Sequence, residues 1–118
     1  MDPNFEWRTK EDKERVVNYW WTEQRMLCCI CGKQMRPYAG EGDTHPLRAT
    51  IEHLIPRREN GPNKVANVRL AHALCNNTLG QQWERNRHLV ERGSPPVSDR
   101  TALKSAWGSY FANGGPEP

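Results

Sequence analysis

The sequence predicts a small α+β domain: two short strands and a helix, held by a staple and flanked by further helices. Three observations predict it. Two β-rich apolar runs are each bounded by turn-forming residues, and an amphipathic run follows the second. Paired ligand-type residues, Cys28-x-x-Cys31 and His72-x-x-Cys75, lie on either side of a loop-rich stretch. The composition also leaves a thin core, with 36% apolar and 26% charged residues, 9 Gly and 9 Pro in 118 positions. A chain of this length makes one domain burying about two-thirds of its extended surface, so a staple matters.

The elements follow in order. The first eight residues read as a loose lead-in. A helix starts at Thr9, where "TKED" sets Asp12 three residues after a threonine cap. Val16, Val17, Trp20, Trp21, Gln24 and Leu27 continue it at helical spacing, with both tryptophans assigned to the core. "CCICGKQMRPYAGEGDTHP" reads as a knuckle and loop. A strand is expected from Ala49 to Ile55, running up to Pro56, and the turn signal Asn-Gly-Pro marks the loop "RRENGPNKVAN". A second strand is expected from Val68 to Leu70, then a helix from His72 to Arg92 carrying Leu74, Leu79, Trp83 and Leu89. Gly80 weakens that helix and Gly93 ends it. A short helix from Arg100 to Tyr110, capped by Ser98 or Asp99, precedes a disordered tail. The organisation is thus 1–27, an N-terminal helical extension; 28–92, a stapled core; and 93–118, a short helix and tail.

Charge narrows the partners. The net charge is +3, and residues 28–118 hold twelve basic against eight acidic side chains, a modest lean toward a polyanion. No apolar run approaches the ~20 residues that span a bilayer, and the charged N-terminus lacks a secretory signal. The expectation is a soluble, cytoplasmic protein without a membrane partner, whose four cysteines are metal ligands or free thiols rather than disulfides.

The cysteines carry the strongest pattern. Gly32 after Cys31 suits the tight turn that lets two thiolates reach one ion, and an i,i+3 His-Cys pair at a helix start points to one side. Cys28, Cys31, His72 and Cys75 are therefore expected to bind a structural zinc, with Cys29 spare. Four protein ligands close such a site, so this ion has no catalytic position. Its binding contributes on the order of 10 kcal/mol to folding.

Glu52 and His53 stand side by side among Ile51, Leu54 and Ile55. Burying an acid beside an imidazole is costly unless each has a partner. One solution is an acid that orients a structural histidine; the other is a metal ligand beside a catalytic base.

His53, Asn67 and Asn76 follow in that order through strand, loop, strand and helix. Here the sequence resembles the HNH endonucleases, whose core is the ββα-metal (His-Me) finger. The residues that carry the resemblance are "IEHLIP", Asn67 before "VRLAHALCN", and Cys28 and Cys31 upstream as in zinc-stapled members; it covers about residues 28 to 80. The resemblance implies a metal-dependent DNA endonuclease in which His53 is the general base for an in-line water. It implies that Glu52 and Asn76 hold a catalytic Mg²⁺ or Mn²⁺ and that Asn67 fixes the loop that orients His53. The expected products carry a 5′-phosphate and a 3′-hydroxyl. A neutral imidazole suits the base, and two oxygen ligands suit a hard cation. Arg57 and Arg58 follow the strand and are candidates for phosphate contacts.

Three positions depart from the family pattern. Glu52 stands where Asp is usual, Leu79 where a lysine often follows, and "ENGPN" replaces a glycine pair in the central loop. Adjacent strand residues also face opposite sides, so Glu52 and His53 need a bend to share a phosphate. The alternative function is a zinc-stapled DNA-binding or protein-interaction module that does not cut, within a larger nucleic-acid machine. A lone nuclease domain cuts one strand at a time unless it dimerises.

Overall fold

The computed structural model describes residues 1–40, 42–55, 57–79 and 107–115. The element order is α1 (Lys10–Glu23), β1 (Ala49–His53), β2 (Val68–His72) and α2 (Ala73–Leu79), with 3-10 turns at Arg57–Glu59 and Val65–Asn67. Residues 107–112 are also helical. The expected α+β class holds: two antiparallel strands lead straight into a helix, giving a ββα unit.

Thr9 caps α1 as its sequence predicts, its hydroxyl accepting the Asp12 N–H at 3.1 Å. The helix stops at Glu23, four residues short of the apolar pattern. Arg25 and Met26 take left-handed backbone angles, φ 53° and 64°, which turn the chain out of the helix. Leu27 is then free to bridge to Gln34, which closes the base of the knuckle. Gln24, just past the end, does more than occupy a helix face. Its amide donates to the carbonyl of Leu70 at 2.8 Å and accepts the Leu70 N–H at 2.7 Å, substituting for a third strand on the free edge of β2.

β1 pairs with β2 in the register Ala49↔His72, Ile51↔Leu70 and His53↔Val68. β1 ends at His53 instead of Ile55 because the side chain of Asn67 captures the next backbone groups. Its Oδ1 accepts the Ile55 N–H at 3.0 Å and its Nδ2 donates to the Ile55 carbonyl at 3.1 Å. β2 runs two residues past the expected Leu70, since Ala71 and His72 find partners in Thr50 and Ala49. His72 is accordingly the last strand residue and not the first helical one. The rest of the helix expected to Arg92, with Trp83, Arg85, Arg87, His88 and Leu89, lies outside the described residues, as does the start of the helix expected from Arg100.

The lead-in is not loose. Phe5 O accepts the Val65 N–H, Trp7 N–H donates to Asn63 O, and Ala66 N–H donates to Pro3 O. This short antiparallel contact seats Trp7 against Val16, Val65 and Val68 as one buried cluster. A second cluster holds Val17, Cys28, Met35, Leu47, Ala49, Leu70, Cys75 and Trp107. Trp20 and Ile51 pack against both, so the two clusters form one thin layer between α1 and the hairpin. Trp20 also donates its indole N–H to Val65 O at 3.2 Å and receives the Arg69 guanidinium at 4.0 Å from its ring.

Trp7→Ala should lower the free energy of unfolding by about 3 kcal/mol, read from urea denaturation followed by circular dichroism. A loss under about 1 kcal/mol would mean that the first eight residues add little to the core.

Candidate metal and catalytic sites

The knuckle forms because Gly32 takes φ 78°, a left-handed angle that costs glycine little. Gly32 N–H donates to Cys28 O, and Cys28 N–H donates back to Lys33 O. The turn aims Cys28 and Cys31 at the β2–α2 junction. There His72 ends the strand and Cys75 lies on the first turn of α2. Sγ of Cys28, Cys31 and Cys75 and a ring nitrogen of His72 all lie within 4.8 Å of one another. Ligand atoms around a tetrahedral zinc stand about 3.8 Å apart, given Zn–S bonds of about 2.3 Å. Among the described residues this is the one group of three or more such ligands. Cys29 is outside it, with its backbone N–H on Leu70 O, and burial pushes its thiol well above the usual range.

The surroundings hold the four ligands in place. His72 donates Nε2–H to Gln34 O at 2.7 Å, which turns Nδ1 toward the sulfurs, 3.3 Å from Cys31 Sγ and 3.8 Å from Cys75 Sγ. Backbone N–H groups of Ile30 and His72 point at Cys28 Sγ, and that of Lys33 at Cys31 Sγ, favouring thiolates. Hydrogen bonds from Cys31 and Cys75 pull Cys28 far below the usual thiol range, and the contact with Cys28 pushes Cys75 up. Burial disfavours a charge on His72, yet hydrogen bonds to the Cys28 and Cys31 sulfurs carry it up to about 9. Four donor atoms that converge on one buried point call for a cation, and a Cys₃His donor set suits zinc. Trp107 covers the site edge-on to His72, ring centroids 5.0 Å apart, and Lys33 Nζ lies 5.0 Å from the Trp107 ring.

His53 occupies a separate pocket of about 280 Å³, lined also by Trp7, Lys13, Thr50, Arg57 and Asn63. Its Nε2 lies 2.9 Å from Oδ1 of Asn63. An amide oxygen only accepts, so Nε2 carries the hydrogen and Nδ1 keeps the lone pair of the neutral ring. Burial is the main force holding His53 below its ordinary pKa; the Asn63 bond opposes it, and the charges of Arg57 and Lys13 add to it. The ring is therefore neutral, and basic at Nδ1, throughout the neutral range.

Two residues fix that histidine at one remove. Asn67, 5% exposed, ties the loop shut: besides Ile55 it donates to Pro62 O at 3.0 Å. The next residue is Asn63, whose side chain meets His53 and whose carbonyl accepts from Trp7. Trp7 itself lies 6.0 Å from the His53 ring, centroid to centroid. The sequence reading passed over Asn63 and Trp7. Nothing in their spacing marks them, although Asn63 belongs to the "ENGPN" departure.

Glu52 and Asn76 lie elsewhere in the unit. Glu52 pairs with Arg69 across the sheet and does not line the His53 pocket. β1 is unbroken through both residues; the bend that the sequence asks for follows at Leu54 and Ile55. Glu52 is half-buried without an ion pair to a described residue, and desolvation, with the nearby Cys28, pushes it up to about 7. Asn76 donates from Nδ2 to Thr50 Oγ1 at 3.2 Å and Ile51 O at 3.4 Å, while its Oδ1 accepts no hydrogen bond from a described residue. Thr50 is the link, since it also lines the His53 pocket and shares its strand face with Glu52. Arg57 is exposed at the rim of the pocket. Arg58 is exposed too, beside Glu59 at 3.8 Å. His45 is half-buried, and its Nδ1 accepts the Leu47 N–H at 3.0 Å.

Residues 28–82 match the protein-family model described as HNH endonuclease. No curated protein and no solved structure matches the chain. The matched segment contains all four zinc-type ligands together with Glu52, His53, Asn67 and Asn76, and begins at Cys28 itself.

Purified protein should carry one zinc per chain by elemental analysis, and Cys31→Ser should lose it while Cys29→Ser keeps it. A metal-free but fully helical wild type would sink the staple.

Proposed function

We propose that the chain, whose residues 28–82 match the family model described as HNH endonuclease, is a metal-dependent DNA endonuclease with His53 as its general base. One observation carries the choice of base: His53 is held neutral in a pocket, with Nε2 committed to Asn63 and Nδ1 left to accept a proton. In this mechanism Nδ1 takes the proton of a water attacking phosphorus in line, and the departing oxygen becomes a 3′-hydroxyl. Asn67 and Asn63 are positioning residues that keep the ring from turning. Arg57 holds a phosphate at the pocket rim, and Arg58 a neighbouring one.

Glu52 and Asn76 are the residues that would hold a Mg²⁺ or Mn²⁺ ion. When bound, such an ion supplies charge stabilisation to the phosphoryl oxygens in the transition state. Cys28, Cys31, His72 and Cys75 would hold a zinc that does no chemistry but ties together β2, which follows Asn67, and α2, which carries Asn76.

DNA is the proposed partner. Among the described residues no helix is long and apolar enough to cross a membrane. Reduced thiols and a DNA substrate suit the cytoplasm. A single His53 pocket cuts one strand per encounter, and a homodimer or a larger DNA-processing complex would supply the second cut. The rival is a zinc-stapled DNA-binding module that does not cut. It draws support from Glu52, which does not line the pocket of His53.

His53→Ala should abolish nicking of supercoiled plasmid in Mg²⁺ or Mn²⁺ with the fold and DNA binding intact, the general-base loss being about 10²–10⁴-fold. Wild type without metal-dependent nicking, yet with tight DNA binding, would favour the module.

The pH profile tests the ring's environment. Activity should rise with pH through a midpoint below 6.5, because His53 is active only when neutral and its pKa is lowered. Arg57→Gln removes a repelling charge and should move that limb to higher pH. Asn63→Ala removes the bond that favours the charged ring, so it should move the limb lower while cutting kcat by up to about 100-fold. Shifts of the opposite sign would rule out His53 as the group that titrates.

A further inference from the structure

A long groove runs from α1 to the His53 pocket, and most of it is built by residues outside the matched segment 28–82. It has a volume of about 1140 Å³, and its walls include Arg8, Lys10 and Lys13 from the N-terminal element and Tyr38 from the loop after the knuckle. Trp21 also lines it. Trp7, Lys13, Tyr38 and Asn63 line both this groove and the smaller pocket, so the two cavities adjoin. The groove therefore leads to the atoms that would be cut.

Its lining combines charge with flat faces. Three cations stand against two acids, Glu6 and Glu14, and Arg57 adds a fourth cation where the groove meets His53. Arg8 and Lys10 are exposed, whereas Trp21 and Tyr38 are half-buried, and all four line the groove. Lys13 Nζ lies 6.0 Å from the Tyr38 ring, so cation and aromatic face occupy one place. Cations spaced along a channel follow a phosphate backbone, and aromatic rings between them stack bases. Bases inside a duplex are already stacked on one another and cannot use those rings; unpaired bases can. The groove exceeds the roughly 300–1,000 Å³ of a drug-sized site, while the His53 pocket falls below that range. This suits several nucleotides lying in the groove and a single phosphate entering the pocket.

We propose that the groove between α1 and the loop after the knuckle binds an unpaired DNA strand and delivers it to His53. The preferred substrate is then DNA with a single-stranded flank, such as an overhang, flap or fork, and not continuous duplex. The direction of delivery rests on the nuclease assignment above; strand binding itself does not. The N-terminal extension thereby joins the substrate site, through Arg8 and Lys10, as well as bracing His53 through Trp7 and Asn63.

The experiment uses the full chain with zinc, in the His53→Ala background so that nothing is cut. Fluorescence anisotropy compares labelled oligothymidine of about 12 nucleotides, within the site size of such grooves, with a blunt duplex of equal length and a tailed duplex. The single strand and the tailed duplex should bind at least about tenfold tighter than the blunt duplex. Arg8→Ala with Lys10→Ala should weaken single-strand binding and reduce the slope of log affinity against log salt by about 1.4, or 0.7 for each lost phosphate contact. Tyr38→Ala should weaken it about fivefold or more, with circular dichroism checking its fold. The two exposed cations keep the test valid should the Tyr38 variant misfold. Equal or tighter binding of blunt duplex, or an unchanged salt slope in the double variant, overturns the proposal. Strand binding as expected, with wild type failing to cut any of the three DNAs, supports the groove and sinks the nuclease assignment instead.

Discussion

Everything in this small domain hangs on the ring of His72, which is held at both nitrogens. Nε2–H is fixed to the carbonyl of Gln34, and Nδ1 faces the sulfurs of Cys31 and Cys75. The knuckle, the end of β2 and the start of α2 therefore meet at one buried point. The apolar clusters around it are a single thin layer, with few large side chains beyond Met35, Leu47, Leu54 and Leu70 fully enclosed. A dication held by three sulfurs and one nitrogen would supply the cross-link that such a layer lacks.

From that anchor the hairpin carries order to the other end of the unit. β2 emerges from the loop at Val68 and ends at His72, so the zinc end fixes the strand on which His53 finds its register partner. At the far end Asn67 closes the 55–63 loop with three side-chain hydrogen bonds, and the loop presents Asn63 to His53. The N-terminal segment then closes over that loop, with Trp7 bonded to the same Asn63. The two functional regions thus have different means of support. The zinc-type site is held by its own ligands, whereas the histidine pocket is held by amides and by a segment from outside the family match.

Much of this was legible because the chemistry needs adjacent or regularly spaced residues. Cys28 and Cys31 are bound to be neighbours around a tight turn with Gly32, and Thr9 caps a helix by reaching Asp12, three positions on. Patterns of that kind survive any tertiary arrangement. Boundaries were less legible, since they depend on remote partners. Gln24 left the helix to serve the edge of β2, Asn67 ended β1 twelve positions earlier in the chain, and His72 joined a strand because Ala49 lay opposite.

The sequence by itself determined the ligand pairs, the capped helix, the order of strand, loop, strand and helix, and the resemblance to a family. Each rests on local stereochemistry or on short-range spacing. Tertiary structure alone decided the partner of His53, the seating of residues 3–7, and the separation of Glu52 from the histidine pocket. Those depend on which distant backbone groups are left unpaired and which side chains arrive to satisfy them. Asn63 could be any polar loop residue until the loop folds back across His53, and Trp7 any N-terminal aromatic until Val65 and Val68 give it a surface on which to be buried.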